Sequence, residues 1–319
     1  MKLSKALPVW SLAAPVAGLA LLAGSLLGLG GWYTLFMAAG LMASVLAAVH
    51  HAEVVAHRVG EPYGTLVLAV AVTVIEVALI VSLMLSGGEA TAALARDTVF
   101  AAVMIILNGM LGLCLLVGAQ RHGEQSFTQH GVSASLATLA AIVTLTLVLP
   151  NYTTSRPGPV YSPGQLAFIA VVSLVLYGTF VLVQTVRHRD YFLPAHAAAQ
   201  PESHATPPSR STALLAGGLL MLALVAVVLL GKALAPTIEK AVAAMGAPQA
   251  LVGIIIAAVV LMPEGLAAVR AARANRLQTS LNLAFGSALA SIGLTIPAVV
   301  AAAVWFQLPL TLGLEAKDM

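Results

Sequence analysis

Two apolar stretches decide the fold class: VAVTVIEVALIV at residues 70–81 and AAVVLMPEGLAA at residues 257–268. Each lies in a longer apolar run with a single glutamate, and each run is long enough to cross the ~30 Å hydrocarbon core of a bilayer as a helix. The chain as a whole is also strongly apolar, since 60% of its 319 residues are hydrophobic and only 8% are charged. Soluble domains carry about 25% charged residues, and barrel strands alternate in polarity. The sequence therefore predicts an all-α polytopic membrane protein.

Nine spans are predicted, because the backbone in lipid must satisfy its own hydrogen bonds within helices. They cover residues 7–29, 32–50, 64–86, 97–119, 133–150, 165–186, 212–231, 248–270 and 280–304. The longest connection, 187–211, is polar and rich in proline, and it is predicted to be a flexible linker. The first apolar stretch is longer than that of a signal peptide, so we expect an uncleaved first span.

The distribution of Lys and Arg predicts the orientation of the chain. With the N-terminus in the cytoplasm, ten of the fifteen Lys and Arg residues lie on the cytoplasmic side, as membrane proteins prefer. We therefore expect 1–31 to be an extra N-terminal helix, 32–186 a first half, 187–211 a cytoplasmic linker and 212–319 a second half.

Only two carboxylates fall deep inside predicted spans, Glu76 in the third and Glu264 in the eighth. An acid at the centre of a membrane helix costs roughly 2.5–3.5 kcal/mol on insertion scales. One reading is a structural polar contact with a neighbouring helix. The other is the binding of ions or protons in the interior of the bundle, which the sequence context favours.

The residues around the two acids suit an ion site. Pro263 and Gly265 flank Glu264, and this triplet predicts a break or kink in the eighth helix, which would expose carbonyl oxygens. Thr73 lies one turn before Glu76 and offers a hydroxyl oxygen on the same helix face.

Each acidic span is followed by a span with small and polar residues. Asn108 lies in the fourth span, and Ser287 and Ser291 share a face of the ninth. Close helix packing explains such residues as well as the lining of an ion site does. The arrangement occurs twice with an offset of five spans. Since five is odd, the copies near 64–119 and 248–304 enter the membrane from opposite sides, which predicts an inverted repeat.

Four strings resemble the calcium/proton antiporters of the cation/calcium exchanger superfamily, and most closely the bacterial sodium(potassium)/calcium:proton antiporters. They are HAEVVAHRVGEPYGTLVLAVAVTVIEVALI at 51–80, RDTVFAAVMII at 96–106, YGTFVLVQT at 177–185, and LMPEGLAAVRAARANRLQTSLNLAFGSALASIGLTIPAV at 261–299. The resemblance covers nearly the whole chain from about residue 40 onward and implies the inverted-repeat exchanger fold.

By this resemblance, Glu76 and Glu264 are the two essential acids of a central cation and proton site. Asn108, Ser287 and Ser291 match small polar positions that line it. Relatives in eukaryotes place an Asn one turn before each acid, whereas this chain has Thr73 and Leu261 there.

The implied function is export of cytoplasmic Ca²⁺, or of Na⁺ or K⁺, in exchange for external protons across the bacterial inner membrane. We expect no cofactor and no enzymatic activity. The expected partners are the lipid bilayer and the transported ions, without nucleic acid. A cation channel is the alternative class. Relatives have eleven spans, so 212–319 is expected to lack two helices, and a truncated, non-transporting member of the family is a further alternative.

The cluster HHAEVVAH at 50–57 does not fit a zinc protease, whose two metal-binding histidines are four residues apart. His50, His51 and His57 are expected to form a cytoplasmic cluster beside the membrane. The functional alternative is a pH sensor at the entrance, because histidine titrates near physiological pH.

Overall fold

The computed structural model describes residues 7–29, 31–60, 63–193, 207–248 and 250–315. Within these ranges the chain forms nine long helices, joined by short turns, and no strand. They are α1 (Val9–Leu26), α2 (Tyr33–Val59), α3 (Tyr63–Gly87), α4 (Leu94–His122), α5 (Gln129–Tyr152), α6 (Pro163–Arg187), α7 (Arg210–Ala244), α8 (Ala250–Arg273) and α9 (Leu277–Phe306). Helices α2 to α9 are long and apolar enough to cross a membrane, and α1 is a shorter apolar helix. The all-α polytopic prediction is confirmed.

Several helices run past the predicted ends of their spans. Helix α2 continues to Val59 and stops at Gly60, whose φ of 76° is open to glycine. Helix α7 has 35 residues and continues through the polar stretch 232–240 to Ala244. At 1.5 Å per residue it is roughly 50 Å long, which exceeds the ~30 Å hydrocarbon core. Because a helix satisfies its own backbone, it has no reason to end where polar side chains begin.

Local sequence sets the starts of the helices on either side of the predicted linker. The Ser162 and Gln165 side chains form a reciprocal capping box before Pro163, the first residue of α6. The Ser209 hydroxyl accepts a hydrogen bond from the Thr212 N–H and caps α7. Between these helices, Arg189–Phe192 forms a short turn of 3₁₀ helix. Residues 194–206, which make up most of the predicted linker, lie outside the described residues.

The chain forms two compact units that do not follow its order. Unit one comprises Met1–Leu83 and Ser203–Val252. In it α2 packs against α7, and α1 packs against both. Gly18 of α1 lies so close to Ser44 that an added Cβ would be 2.7 Å from the Ser44 hydroxyl oxygen. Small residues thus let the helices approach closely, as is common in membrane proteins.

Unit two comprises Met84–Glu202 and Gly253–Met319. Helix α9 is its central element, since it packs against α4, α5 and α6 and buries most of its length. At Gly293 of α9, an added Cβ would lie 2.8 Å from Cβ of Tyr177 in α6. After α9 the chain folds back, and the buried Arg96 donates a hydrogen bond of 3.0 Å to the Gly313 carbonyl.

Candidate cation-binding site

Glu76 lies in the middle of α3, in unit one, and its side chain is 1% exposed. The buried face of the helix continues with Ile75 and Ile80, while Val70 and Val74 are exposed on the opposite face. A helix with one buried and one exposed apolar face lies at the boundary between protein and lipid. The acid therefore points into protein, where a carboxylate is tolerated only with polar or ionic compensation.

Thr73, one turn before Glu76, is also buried. The two side chains lie on the same face of α3, as their spacing predicts. Helix α3 is regular over its 25 residues. The oxygen atoms that α3 could offer to a bound cation are therefore those of side chains rather than of unpaired backbone carbonyls.

Glu264 lies in α8, in unit two, with a half-buried side chain between half-buried Pro263 and Gly265. The helix is continuous from Ala250 to Arg273 with Pro263 inside it, so the break that we predicted as one outcome at Pro263 and Gly265 does not occur, while the kink stays a prediction. Proline removes one hydrogen-bond donor, but leaving several more backbone groups unsatisfied in lipid would cost far more. Proline at 263 removes the hydrogen bond to the carbonyl four residues earlier, that of Val259.

Irregular backbone occurs in α4, and also in α5 at Thr144–Val148 and in α6 at Val183–Arg187. Residues Ile105–Met110 form a π-helical segment, and Asn108 is exposed on it, with its side-chain N–H donating to the Met104 carbonyl at 3.1 Å. Segments of this kind insert one residue into a helix and occur frequently at functional sites. We did not predict this π-helical segment from the sequence. Its signal was the pair Asn108–Gly109 in an apolar run, since both residues are weak helix formers.

Within unit two, the helical turn of α8 that contains Glu264 lies next to the π-helical segment of α4. A Cβ added to Gly265 would lie 3.5 Å from the terminal methyl group of Met110. Helix α9 also packs against the π-helical segment, and on α9 Ser291 is buried and Ser287 half-buried. The predicted residues Asn108, Glu264, Ser287 and Ser291 therefore belong to helices of one unit, whereas Thr73 and Glu76 belong to the other. The assignment of Glu76 and Glu264 to one shared site is based on the repeat in the sequence.

The histidine cluster lies within α2 rather than after it. His51 is fully buried, and its Nε2 is 3.0 Å from the Ser11 carbonyl oxygen of α1. The His50 ring lies 5.5 Å from the Trp10 ring, between centroids, and His57 is exposed near the end of the helix. His51 thus joins two helices, and the location of the cluster beside the membrane stays a prediction. Among the described residues, no three His, Cys, Asp or Glu side chains are grouped as metal ligands.

Fold and site together define an integral membrane protein with acids inside its apolar helices. A sequence profile described as "Sodium/calcium exchanger protein" matches residues 29–186 and 215–313. The chain belongs to this family.

Two relatives and two solved structures show how far the similarity extends. The y4hA protein of Sinorhizobium fredii is 55% identical, over 89% of this chain and 77% of the relative. The sodium-potassium/proton antiporter ChaA of Escherichia coli is 36% identical, over 88% and 76%. The H⁺/Ca²⁺ exchanger CAX has a TM-score of 0.72 at 15% identity, covering 99% of this chain and 79% of its own. YfkE has a TM-score of 0.67 at 18% identity, covering 97% and 87%. The predicted exchanger fold is confirmed.

Proposed function

We propose that this protein is a secondary active antiporter that exports cytoplasmic Ca²⁺, or Na⁺ or K⁺, in exchange for external protons. Membership of the exchanger family supports it. So does the E. coli relative, which is a sodium-potassium/proton antiporter. The proposed location is the bacterial inner membrane, with the N-terminus in the cytoplasm.

The observation that carries the proposal is the burial of Glu76. Its carboxyl group lies on the buried face of an apolar helix, flanked by fully buried isoleucines. A carboxylate in such a place needs a counter-charge or a proton. Ionisable residues inside membrane helices typically mark ion or proton pathways. Glu264 is the corresponding acid of the second repeat.

The two glutamates would form one site that holds either a cation or protons. Calcium prefers six to eight oxygen ligands, carboxylates among them, and two carboxylates cancel its charge. In our proposal Thr73, Asn108, Ser287 and Ser291 supply further oxygens. Without the cation, two carboxylates in a low-dielectric site repel each other, and protonation neutralises them instead. Mutual exclusion of cation and protons is the chemical basis of antiport.

Alternating access would couple this exclusion to transport. The inverted repeat implies two similar halves that open the shared site to one side of the membrane at a time, as in many secondary transporters. Protons entering down their gradient would then displace the cation outward. A univalent ion such as Na⁺ needs less charge compensation and would bind with one glutamate still protonated.

The direct test is calcium-induced proton release in inverted membrane vesicles. Glu76→Gln and Glu264→Gln keep the shape of the side chain and remove its charge, and each is expected to abolish exchange while the protein still inserts. Glu89→Gln is the matched control, because Glu89 is exposed in the turn that follows α3. Undiminished exchange in either of the first two variants would refute the assignment of the acids.

A further inference from the structure

One end of unit two carries a concentrated positive charge that antiport does not require. Helices α4, α6 and α8 end there, and α9 begins there. In the described part of the chain, six exposed arginines lie in these helix ends and adjoining turns, namely Arg121, Arg187, Arg189, Arg270, Arg273 and Arg276. The exposed acids in the same segments are Glu124 and Asp190. We refer to these six residues as the arginine surface.

Hydrogen bonds hold the end of α4 against the end of α8. The Gln125 side-chain amide donates to the Ala272 carbonyl and to Oδ1 of Asn275, both at 3.0 Å. The His122 ring Nε2 lies 2.9 Å from the Arg273 carbonyl oxygen. These hydrogen bonds place the end of α4, which carries Arg121, beside the end of α8, which carries Arg270 and Arg273.

A second chain of amide hydrogen bonds joins the remaining elements. Gln278, which is 1% exposed, accepts a hydrogen bond of 2.6 Å from the Thr128 N–H. It donates in turn to Asn282 at 2.9 Å. Asn282 donates to the Phe192 carbonyl at 2.6 Å, which ties the turn after α6 to α9. The arginine surface is thus built on an ordered frame rather than on independent loops.

Aromatic side chains lie within the same loops. Phe127, between α4 and α5, is 48% exposed. Tyr191 stacks on the His188 ring with centroids 4.8 Å apart, and His130 lies 5.3 Å away on α5. Tyrosine concentrates where membrane hydrocarbon meets water. Tyr191 and the exposed, apolar Phe127 in the same loops as the arginines therefore suit a surface of phosphates over an apolar layer better than they suit a soluble anion.

We propose that the arginine surface binds the phosphate groups of anionic phospholipids in the leaflet that this end of the protein faces. Guanidinium groups donate paired hydrogen bonds to phosphate oxygens, and the ends of spanning helices lie at headgroup depth. The bound lipids would brace the ends of α4, α8 and α9 against one another. This proposal stands whether or not the protein exchanges cations for protons.

The test uses the full chain in neutral detergent, with phosphatidylglycerol, phosphatidylcholine or inorganic phosphate added. Native mass spectrometry counts bound lipid, and thermal unfolding measures stabilisation. The triple variant R270Q/R273Q/R276Q is expected to lose roughly 100-fold in apparent affinity for phosphatidylglycerol, at about fivefold per charge. The charge-preserving variant R270K/R273K/R276K should keep most of it. The control is R156Q, which removes an exposed arginine beyond the opposite end of α5.

Selective binding of phosphatidylglycerol, lost in the glutamine variant and kept in the control, would support the proposal. If the glutamine variant shows no cooperative unfolding, R187Q/R189Q provides the same test from the other side of the surface. Equal binding of phosphatidylcholine, full stabilisation by inorganic phosphate alone, or unchanged phosphatidylglycerol binding in the glutamine variants would overturn it.

Discussion

The two acid-bearing helices, α3 and α8, place their glutamates in different surroundings. Glu76 is almost completely buried on a regular helix whose neighbouring side chains are branched and apolar. Glu264 is half-buried and lies between a proline and a glycine. If the two acids share one site, their contributions are therefore unequal, because Glu76 lies on the buried face of a regular helix and Glu264 lies beside a proline in a half-buried turn. The predictions below test this asymmetry, beginning with the largest expected effect.

Removal of either charge should abolish stabilisation by calcium. A ligand that binds the folded state raises the unfolding temperature, so Ca²⁺ should stabilise the purified wild-type protein. Loss of one partner of a buried ionic contact reduces affinity about 100-fold or more, and E76Q and E264Q should show no shift at the same Ca²⁺ concentration. Glu89→Gln should respond like the wild type. A calcium shift retained in E76Q would place the cation elsewhere.

Shortening each glutamate to aspartate, which removes one methylene group, should affect exchange differently at Glu76 and at Glu264. Glu76→Asp draws the carboxylate back along a buried apolar face, and a displacement of about 1 Å should weaken calcium activation of exchange by up to about 100-fold. Glu264→Asp should cost distinctly less, because the backbone beside it is less constrained. The half-saturating Ca²⁺ concentration of each variant gives the measurement. Equal losses, or a larger loss at Glu264, would contradict the asymmetry.

We expect Pro263 to lower the stability of the folded protein but to increase its rate of exchange. Pro263→Ala restores the hydrogen bond to the Val259 carbonyl, and the gain in folding free energy should be at most about 3 kcal/mol. We expect a higher unfolding temperature and an exchange rate that falls several-fold. The matched control is Pro236→Ala in α7, which restores a bond in a helix that carries neither Glu76 nor Glu264. An unchanged rate in P263A would show that the proline serves packing alone.

The smallest effect concerns the exposed His57 at the end of α2. The pH-sensor role that stays open for His57 predicts that exchange by the wild type slows at low pH. His57→Ala should then remain active at lower pH than the wild type, while His130→Ala, an exposed histidine of the other unit, should not. Exchange rates across a pH series measure the effect. Coincident profiles of H57A and the wild type would remove the sensor role.

The spans, and the positions of both acids within them, could be predicted from the sequence, because the length of an apolar run and the place of a charge in it can be seen without knowing the fold. The sequence did not predict the π-helical segment around Asn108, which depends on how α4 packs against α9. It allowed a break at Pro263 as well as a kink because proline usually ends helices in water, whereas in lipid the remaining backbone bonds keep α8 continuous. The burial of His51 was not predicted either, because α2 continues beyond the predicted end of its span at residue 50, and these added turns are polar in sequence although part of them is buried.

The central claim is that cations and protons compete for one site containing Glu76. The most direct measurement is cation flux in reconstituted liposomes under an imposed pH gradient, with proton movement recorded at the same time. We predict saturable uptake of Ca²⁺, or of Na⁺ or K⁺, matched by proton movement in the opposite direction, with both lost together in Glu76→Gln. Cation flux without proton movement, or flux that rises linearly with concentration as in a channel, would contradict it.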